Sequence, residues 1–379
     1  MNERSARRAT AASPAGGAQP ASVSTPLQRH IAQAIAAAGG WLPFDRFMAL
    51  ALYAPQGGYY ARGDRQFGLG PASGSDFVTA PELSPYFGRA LARQVAQWLD
   101  TAGADTVWEF GAGSGALAEQ LLDALGERVR RYAIVDVSPA LAARQRERLR
   151  RFGARVEWLA ELPARLHGVV VGNEVLDAMP VQLLHWDGER WSERGVALDG
   201  ERFVWADRPT ELRPPVDAGF VPGTVTELHR QACAFVATLA ERLDRGAALF
   251  VDYGFPQAEY YHPQRTGGTL MCHRAHRADA DPLADVGDKD ITSHVDFTAV
   301  ALAAQDAGAD VLGYTTQARF LINCGLLDLL ADADLRERAN AQKLLTEHEM
   351  GELFKVLAFG RGIDVAPLGF AAGDRTHTL

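Results

Sequence analysis

The sequence feature that most constrains this chain is a junction. The apolar run Val107-Trp108-Glu109-Phe110 passes directly into Gly111-Ala112-Gly113-Ser114-Gly115, and the stretch from Ala116 to Leu125 has a helical pattern. A short buried strand that turns through glycines into a helix is the opening unit of a βαβ fold. Gly111 and Gly113 permit tight turning and let the backbone approach a ligand with no Cβ in the way. The helix that follows offers free N–H groups at its N-terminus.

The same alternation continues. Tyr132–Val135 reads as a second strand, Pro139 to Arg151 as a helix, Arg155 to Leu159 as a third strand and Val169–Gly172 as a fourth. This pattern predicts right-handed βαβ units and a mostly parallel, Rossmann-like α/β sheet with helices on both faces. Asp136 falls at the carboxyl end of the second strand, placed to accept hydrogen bonds from a ribose diol. Together the glycine loop and Asp136 describe a nucleoside-cofactor site where the strand order reverses.

Two cofactor classes fit. The loop satisfies G-x-G-x-x-A, which keeps NAD or FAD open beside S-adenosylmethionine. Glu109, two positions before the loop, suits the ammonium of a methionine moiety and disfavours a pyrophosphate. About 100 residues precede the loop, as in many methyltransferases with N-terminal substrate lids. Strand candidates at 310–314 and 353–359 supply the antiparallel edge hairpin of a methyltransferase sheet.

A second polar cluster, Gly172-Asn173-Glu174-Val175-Leu176-Asp177-Ala178-Met179-Pro180, follows the all-apolar fourth strand. Ligand sites in open α/β sheets lie at the carboxyl ends of strands, so Asn173 and Glu174 face the cleft. A carboxylate there holds a cationic acceptor and steadies its charge. Asp177 comes three residues after Glu174 and shares its face on a helical turn. The competing reading has Asp177 capping a short helix and Glu174 pairing with an Arg. Methyl transfer needs little acid–base machinery, because alignment of donor, carbon and nucleophile does most of the work. For a guanidinium acceptor, carboxylates that localise its charge favour attack by one nitrogen. Asp252-Tyr253-Gly254 ends a fifth strand, 247–253, and reaches the same cleft.

The rest of the chain divides around this core. Residues 1–25 read as a disordered tail with no apolar segment of a secretory signal. Residues 26–100 read as a helical and loop region, with helices at 27–38, 43–52 and 84–99, Ser84 capping the last and Pro85 at its first position. The methyltransferase-like domain then spans 101–363. One insertion, 181–225, carries short strands and the Asp187-Gly188 hairpin signal. The other, 255–296, is read as a long loop. A helix is expected at 225–243, another at 297–307, and a helical segment at 326–346. Residues 364–379 are expected as a flexible tail, and residues 1–100 with 255–295 as a lid over the cleft.

Composition excludes several classes. No run of about 18 apolar residues exists to span a membrane, and the net charge of −9 argues against holding nucleic acid by neutralising phosphates. Cys233, Cys272 and Cys324, odd in number and far apart, fit reduced thiols of a bacterial cytoplasmic protein. His262, Cys272, His273 and His276 match no familiar zinc spacing, so no metal site is expected.

These segments, with Gly57-Gly58-Tyr59-Tyr60, Asp76-Phe77-Val78-Thr79-Ala80-Pro81-Glu82, Arg265 to Leu270, Asp290 to Phe297 and Met350 to Leu357, resemble the MidA-type methyltransferases. That family includes a mitochondrial arginine methyltransferase that assists assembly of respiratory complex I. The resemblance runs from about Leu27 to Phe359. It implies a class I methyltransferase fold, S-adenosylmethionine as donor, and a protein arginine, such as one on a respiratory-chain subunit, as acceptor. It carries Gly111, Gly113 and Gly115 to the cofactor loop, Asp136 to the ribose, and Asn173 and Glu174 to the cleft. Met179 departs from the family, where Leu is common. Two other readings stand beside it: an assembly factor that binds the cofactor without turnover, and a nicotinamide-dependent oxidoreductase, for which no hydride-acceptor site is apparent.

Overall fold

The computed structural model describes residues 23–62, 78–136, 138–217, 219–274 and 277–379. Among the described residues the main sheet has eight strands, the short Val295–Asp296 and seven that form one continuous run: β1 (Thr106–Phe110), β2 (Arg131–Val135), β3 (Val156–Leu159), β4 (Leu166–Asn173), β5 (Leu243–Phe255), β6 (Asp310–Thr316) and β7 (Phe354–Arg361). Their order is β3-β2-β1-β4-β5-β7-β6. The first five are parallel, while β7 runs antiparallel to both β5 and β6. This is the mostly parallel α/β sheet with an antiparallel edge hairpin of the class I methyltransferases.

Alternation along the strands assigns the two faces. Val107, Val169, Val171 and Leu249 pack beneath the helices Pro85–Ala102 and Ala116–Leu125. Trp108, Val170, Ala248 and Phe250 pack on the other side, against the helices Arg230–Arg242 and Phe297–Asp306. Both faces are therefore covered, as a buried parallel sheet requires.

The insertion after β4 builds a second sheet. Gln182–Trp186, Trp191–Asp199, Arg202–Pro209 and Val225–Leu228 pair with one another, and Leu42–Pro43 adds at the edge. The helices Pro26–Ala37 and Phe44–Tyr53 lie on it, burying Ile31, Phe44, Phe47 and Met48 with Val181, Leu183 and Val196. The described residues before 103 are thus split between the two sheets. The early helices join the insertion, whereas Pro85–Ala102 belongs to the main sheet. Ser84 caps that helix, accepting from the Tyr86 N–H, with Pro85 at its first position.

Four boundaries differ from the sequence-based expectation. The expected helix at 225–243 begins as a strand, because Glu227 and Thr226 are buried and pair with Leu183 and Leu184; the helix starts only at Arg230. The loop at 255–296 contains a small sheet of Met271–Arg274, Arg277–Asp279 and Asp290–Thr292, and Val295–Asp296 pairs with the end of β5. The helical segment at 326–346 is broken into Leu326–Leu329 and Leu335–Leu345. Residues 364–379 are not a loose tail. Phe370 is buried against Phe320, Asn323 donates to Gly369 O and Ala372 O at 2.9 and 2.8 Å, and Asp374 accepts from the Tyr314 N–H at 3.0 Å.

At the other terminus Ser24 and Thr25 already belong to a capping box with Gln28. Residues 1–22 of the tail expected at 1–25, and the motif residues 63–77 including Asp76 and Phe77, lie outside the described residues, while residues 24 and 25 belong to that cap. Among the described residues no helix is long and apolar enough to cross a membrane.

Candidate active site

Strand β1 continues through a helix to β2 on one side, while β4 lies against its other side. That reversal opens a crevice at the carboxyl ends of β1 and β4, where open α/β sheets bind ligands. It is a cavity of about 770 Å³. The glycine loop forms one wall, with Gly111 and Gly113 both in the left-handed region (φ +61° and +53°). Gly111 donates to Val135 O at 3.2 Å, and a Cβ there would stand 3.0 Å from Val175 Cγ2. Gly115 does not line the cavity; at φ +82° it caps the helix Ala116–Leu125.

Asp136 lies at the end of β2 in the same wall. Its Oδ1 accepts from the Ser138 N–H at 2.9 Å and its Oδ2 from Gln145 Nε2 at 2.8 Å. Each oxygen keeps lone pairs for the hydroxyls of a diol. Burial raises its pKa, and those two bonds oppose the rise. Glu109 is 2 % exposed and accepts from the Tyr132 hydroxyl at 2.8 Å. Burial pushes its carboxyl up to about 8.

The opposite wall is acidic and aromatic. Asp252, at the end of β5, does not reach into the cavity. Its Oδ2 gathers the N–H groups of Val175, Leu176 and Asp177 at 3.1, 2.8 and 3.3 Å. The turn so pinned throws Glu174 into a left-handed backbone (φ +54°), which costs a non-glycine residue roughly 1–3 kcal/mol. The Glu174 N–H donates to Val251 O at 2.9 Å. Strain of this kind persists where the surroundings impose it, and here it aims a carboxyl into the cavity.

Glu174 and Asp177 both line that cavity, brought there by a strained non-helical turn and not by the helical turn on which the spacing argument relied. Burial, and then the nearby Asp177, push Glu174 up to about 8. Burial raises Asp177 to about 6, while the Tyr253 hydroxyl pulls it down. Asn173 Nδ2 donates to Glu174 Oε1 at 2.9 Å, and its buried Oδ1 has no partner among the described residues.

Several residues of this site carry no single-residue signal in the sequence. Tyr53 and Tyr60 stack with centroids 5.6 Å apart, Tyr53 donating to Ala178 O and Tyr60 to Asp290 Oδ2. They arrive from the N-terminal helices, while Met271, His273 and His294 arrive from the 255–296 insertion. Burial, with Arg265 nearby, drops His294 to about 4, so it is a neutral ring at pH 7. Of the residues weighed for a metal, His262 is exposed, Cys272 is buried in the N-terminal cluster, and His276 lies outside the described residues. Among the described residues no group of three or more such side chains gathers.

A family model of S-adenosyl-L-methionine-dependent methyltransferases matches residues 90–315. The mitochondrial protein arginine methyltransferase NDUFAF7 of Danio rerio is 28% identical over 385 residues, covering 88% of this chain and 86% of that protein. Its counterpart in Homo sapiens is 28% identical over 387 residues, covering 88% and 83%. Among solved structures, a COG1565 superfamily member from Burkholderia thailandensis, crystallised with S-adenosyl-homocysteine, is 53% identical and superposes with a TM-score of 0.90 over 93% of this chain and 96% of that one. A native crystal structure of a protein of that superfamily from the same organism is also 53% identical, with a TM-score of 0.85.

The cavity fits the cofactor. Glycine backbone lies along one wall, the half-buried Asp136 carboxyl keeps lone pairs that suit a diol, and the buried Asn173 Oδ1 has no partner among the described residues. With its sheet order, its glycine cradle and these relatives, the chain belongs to the MidA-type S-adenosylmethionine-dependent methyltransferases.

Proposed function

We propose that this enzyme methylates a guanidinium nitrogen of arginine in a protein, with a respiratory-chain subunit as the acceptor the family resemblance implies. The observation that carries the reading is the pair of carboxyls Glu174, half-buried, and Asp177, buried, both set by one strained turn at the wall of the cavity. Burial holds both above the usual carboxylate range. A group that remains cationic in such surroundings restores their charge, and guanidinium is the side-chain cation least prone to lose its proton. The names of the mitochondrial relatives support the same acceptor.

In this reading Gly111 and Gly113 pass closest to the cofactor, Asp136 takes the ribose hydroxyls and Glu109 the methionine ammonium. Asn173 faces both ligands, and Gly115 serves by starting the helix. When bound, the cofactor supplies a methyl carbon activated by a positively charged sulfur. Glu174 and Asp177 take two edges of the planar guanidinium, orient one nitrogen toward that carbon and accept the proton released. The stacked Tyr53 and Tyr60 flank the planar cation. The segments carrying them, with the 255–296 insertion, close over the cleft as a lid.

The test uses wild type and Glu174→Gln with methyl-labelled S-adenosylmethionine and a protein extract, followed by hydrolysis and amino-acid analysis. Label in methylarginine, reduced about 100-fold or more in the variant, supports the proposal. Label confined to another amino acid, or unchanged in Glu174→Gln, overturns it.

A further inference from the structure

The helix Pro139–Leu149 buries Leu141, Gln145 and Leu149, one residue every fourth position along a single face. Two are apolar and belong to the packing. Gln145 is fully enclosed, with no exposed surface. A primary amide at that depth must use its donors and its acceptor or destabilise the fold, and all of them are used. Gln145 Nε2 donates to Gly113 O at 3.0 Å and to Asp136 Oδ2 at 2.8 Å, while Oε1 accepts from Trp158 Nε1 at 2.9 Å. The indole N–H can only donate, so it fixes which end of the amide faces the cavity wall.

We propose that Gln145 is a positioning residue for cofactor binding: its amide ties the glycine loop to the Asp136 carboxylate and sets the spacing between those two parts of the nucleoside site. The remaining Asp136 oxygen is held by the Ser138 N–H at 2.9 Å, so the two bonds fix the carboxylate plane before any ligand arrives. Gly113 must hold its left-handed conformation to present its carbonyl to Gln145. Gln145 touches no ligand; it acts through Asp136 and Gly113. Supporting groups of this kind decide affinity because a site built slightly loose loses binding energy to its own ordering.

Calorimetric titration of the full chain with S-adenosylhomocysteine tests this. Gln145→Met keeps the volume and removes all three bonds. Gln145→Glu keeps the acceptor for Trp158 but sets a second carboxyl against Asp136. Both are expected to raise Kd about tenfold or more, the scale of a hydrogen bond to a charged group. The Gln145→Glu loss should shrink as pH falls and one carboxyl of the pair is protonated, a dependence that a purely structural defect does not produce. In combination with Asp136→Ala, the loss from Gln145→Met should shrink to the part carried by Gly113, because the two variants share the Asp136 contact. Losses that multiply, or unchanged affinity in a folded Gln145→Met, overturn the proposal. If circular dichroism shows both Gln145 variants unfolded, the half-buried Trp158→Phe decides. It releases the amide, and a several-fold loss of affinity supports the assignment where none refutes it.

Discussion

The Tyr253 hydroxyl donates to Asp177 Oδ2 at 2.5 Å, joining the end of β5 to the turn that follows β4. The bond favours the charged form of Asp177 and offsets part of the rise that burial imposes. Removing it in Tyr253→Phe should lift the Asp177 pKa above its value of about 6 by roughly one to two units, the equivalent of one charge-assisted hydrogen bond. In the proposed function an ionised Asp177 holds the cationic acceptor. The variant should therefore lose kcat/KM most near pH 7 and recover toward pH 9. A loss of equal size at every pH would contradict the link.

Glu174 sets the upper limb of the same profile. Burial and the nearby Asp177 push its carboxyl up to about 8, so kcat/KM for the acceptor should climb with pH up to about 8 and then level. Glu174→Gln should flatten that limb and lower the plateau. Comparing pH–rate profiles of the two proteins checks this, and an unchanged limb in the variant would assign it to another group.

Glu109 predicts a proton released on binding. At pH 7 its carboxyl is mostly protonated, with a pKa of about 8, and a methionine ammonium beside it favours the ionised form. The heat of S-adenosylmethionine binding at pH 7 should vary with the buffer's ionisation enthalpy, and Glu109→Gln should abolish the variation. Stability carries the same sign. Because the folded pKa lies above the ordinary 4.5, the contribution is fully present below about 4.5 and lost as pH rises through about 8. Glu109→Gln should thus unfold at a less pH-dependent temperature than wild type across that window.

Gly111→Ala places a Cβ on a left-handed residue 3.0 Å from Val175 Cγ2. The backbone alone should cost about 1–2 kcal/mol, and Val175 must also shift. Thermal unfolding should show a drop of a few degrees at most. Cofactor affinity should fall further than stability does, because Val175 adjoins Glu174 and the loop lines the cavity. Equal binding in the variant would place the cofactor away from this glycine.

Asp252→Asn replaces a carboxyl whose Oδ2 gathers three N–H groups and whose Oδ1 accepts a fourth with an amide that keeps a single acceptor oxygen. Glu174 should then relax from its left-handed backbone. Methyl transfer should fall while S-adenosylhomocysteine affinity stays near wild type, since the cofactor wall is untouched. Parallel loss of both would mean that Asp252 supports the whole crevice.

The parts of this molecule that read clearly from sequence are those with local cause. The junction at Phe110–Gly111 needs only a short apolar strand, glycines and a helix pattern, and the structure places strand and helix within a residue or two of the expected bounds. Asp136, Asn173, Glu174 and Asp177 were legible as cleft residues because strand ends in a parallel sheet all point one way. Long-range partners were not legible. Val225–Leu228 has a helix-compatible pattern, and only its pairing with Gln182–His185 makes it a strand. Tyr53 and Tyr60 reach the site from N-terminal segments whose packing partner, the inserted sheet, lies well over 100 residues later. Gln145 did leave a trace, a polar residue centred in the stripe Leu141–Leu149, though nothing local says which bonds it makes. Asp252 looks like a cleft residue by position and instead holds the turn, a distinction set by the direction of one side chain.

In the proposed function one crevice has two separable walls, a cofactor wall around Asp136 and an acceptor wall around Glu174. Calorimetric titration of S-adenosylhomocysteine into wild type, Asp136→Ala and Glu174→Gln tests it most directly. Binding lost or reduced about tenfold or more in Asp136→Ala, and retained in Glu174→Gln, is the predicted result. Undiminished binding in Asp136→Ala, or binding lost in Glu174→Gln, would contradict the division.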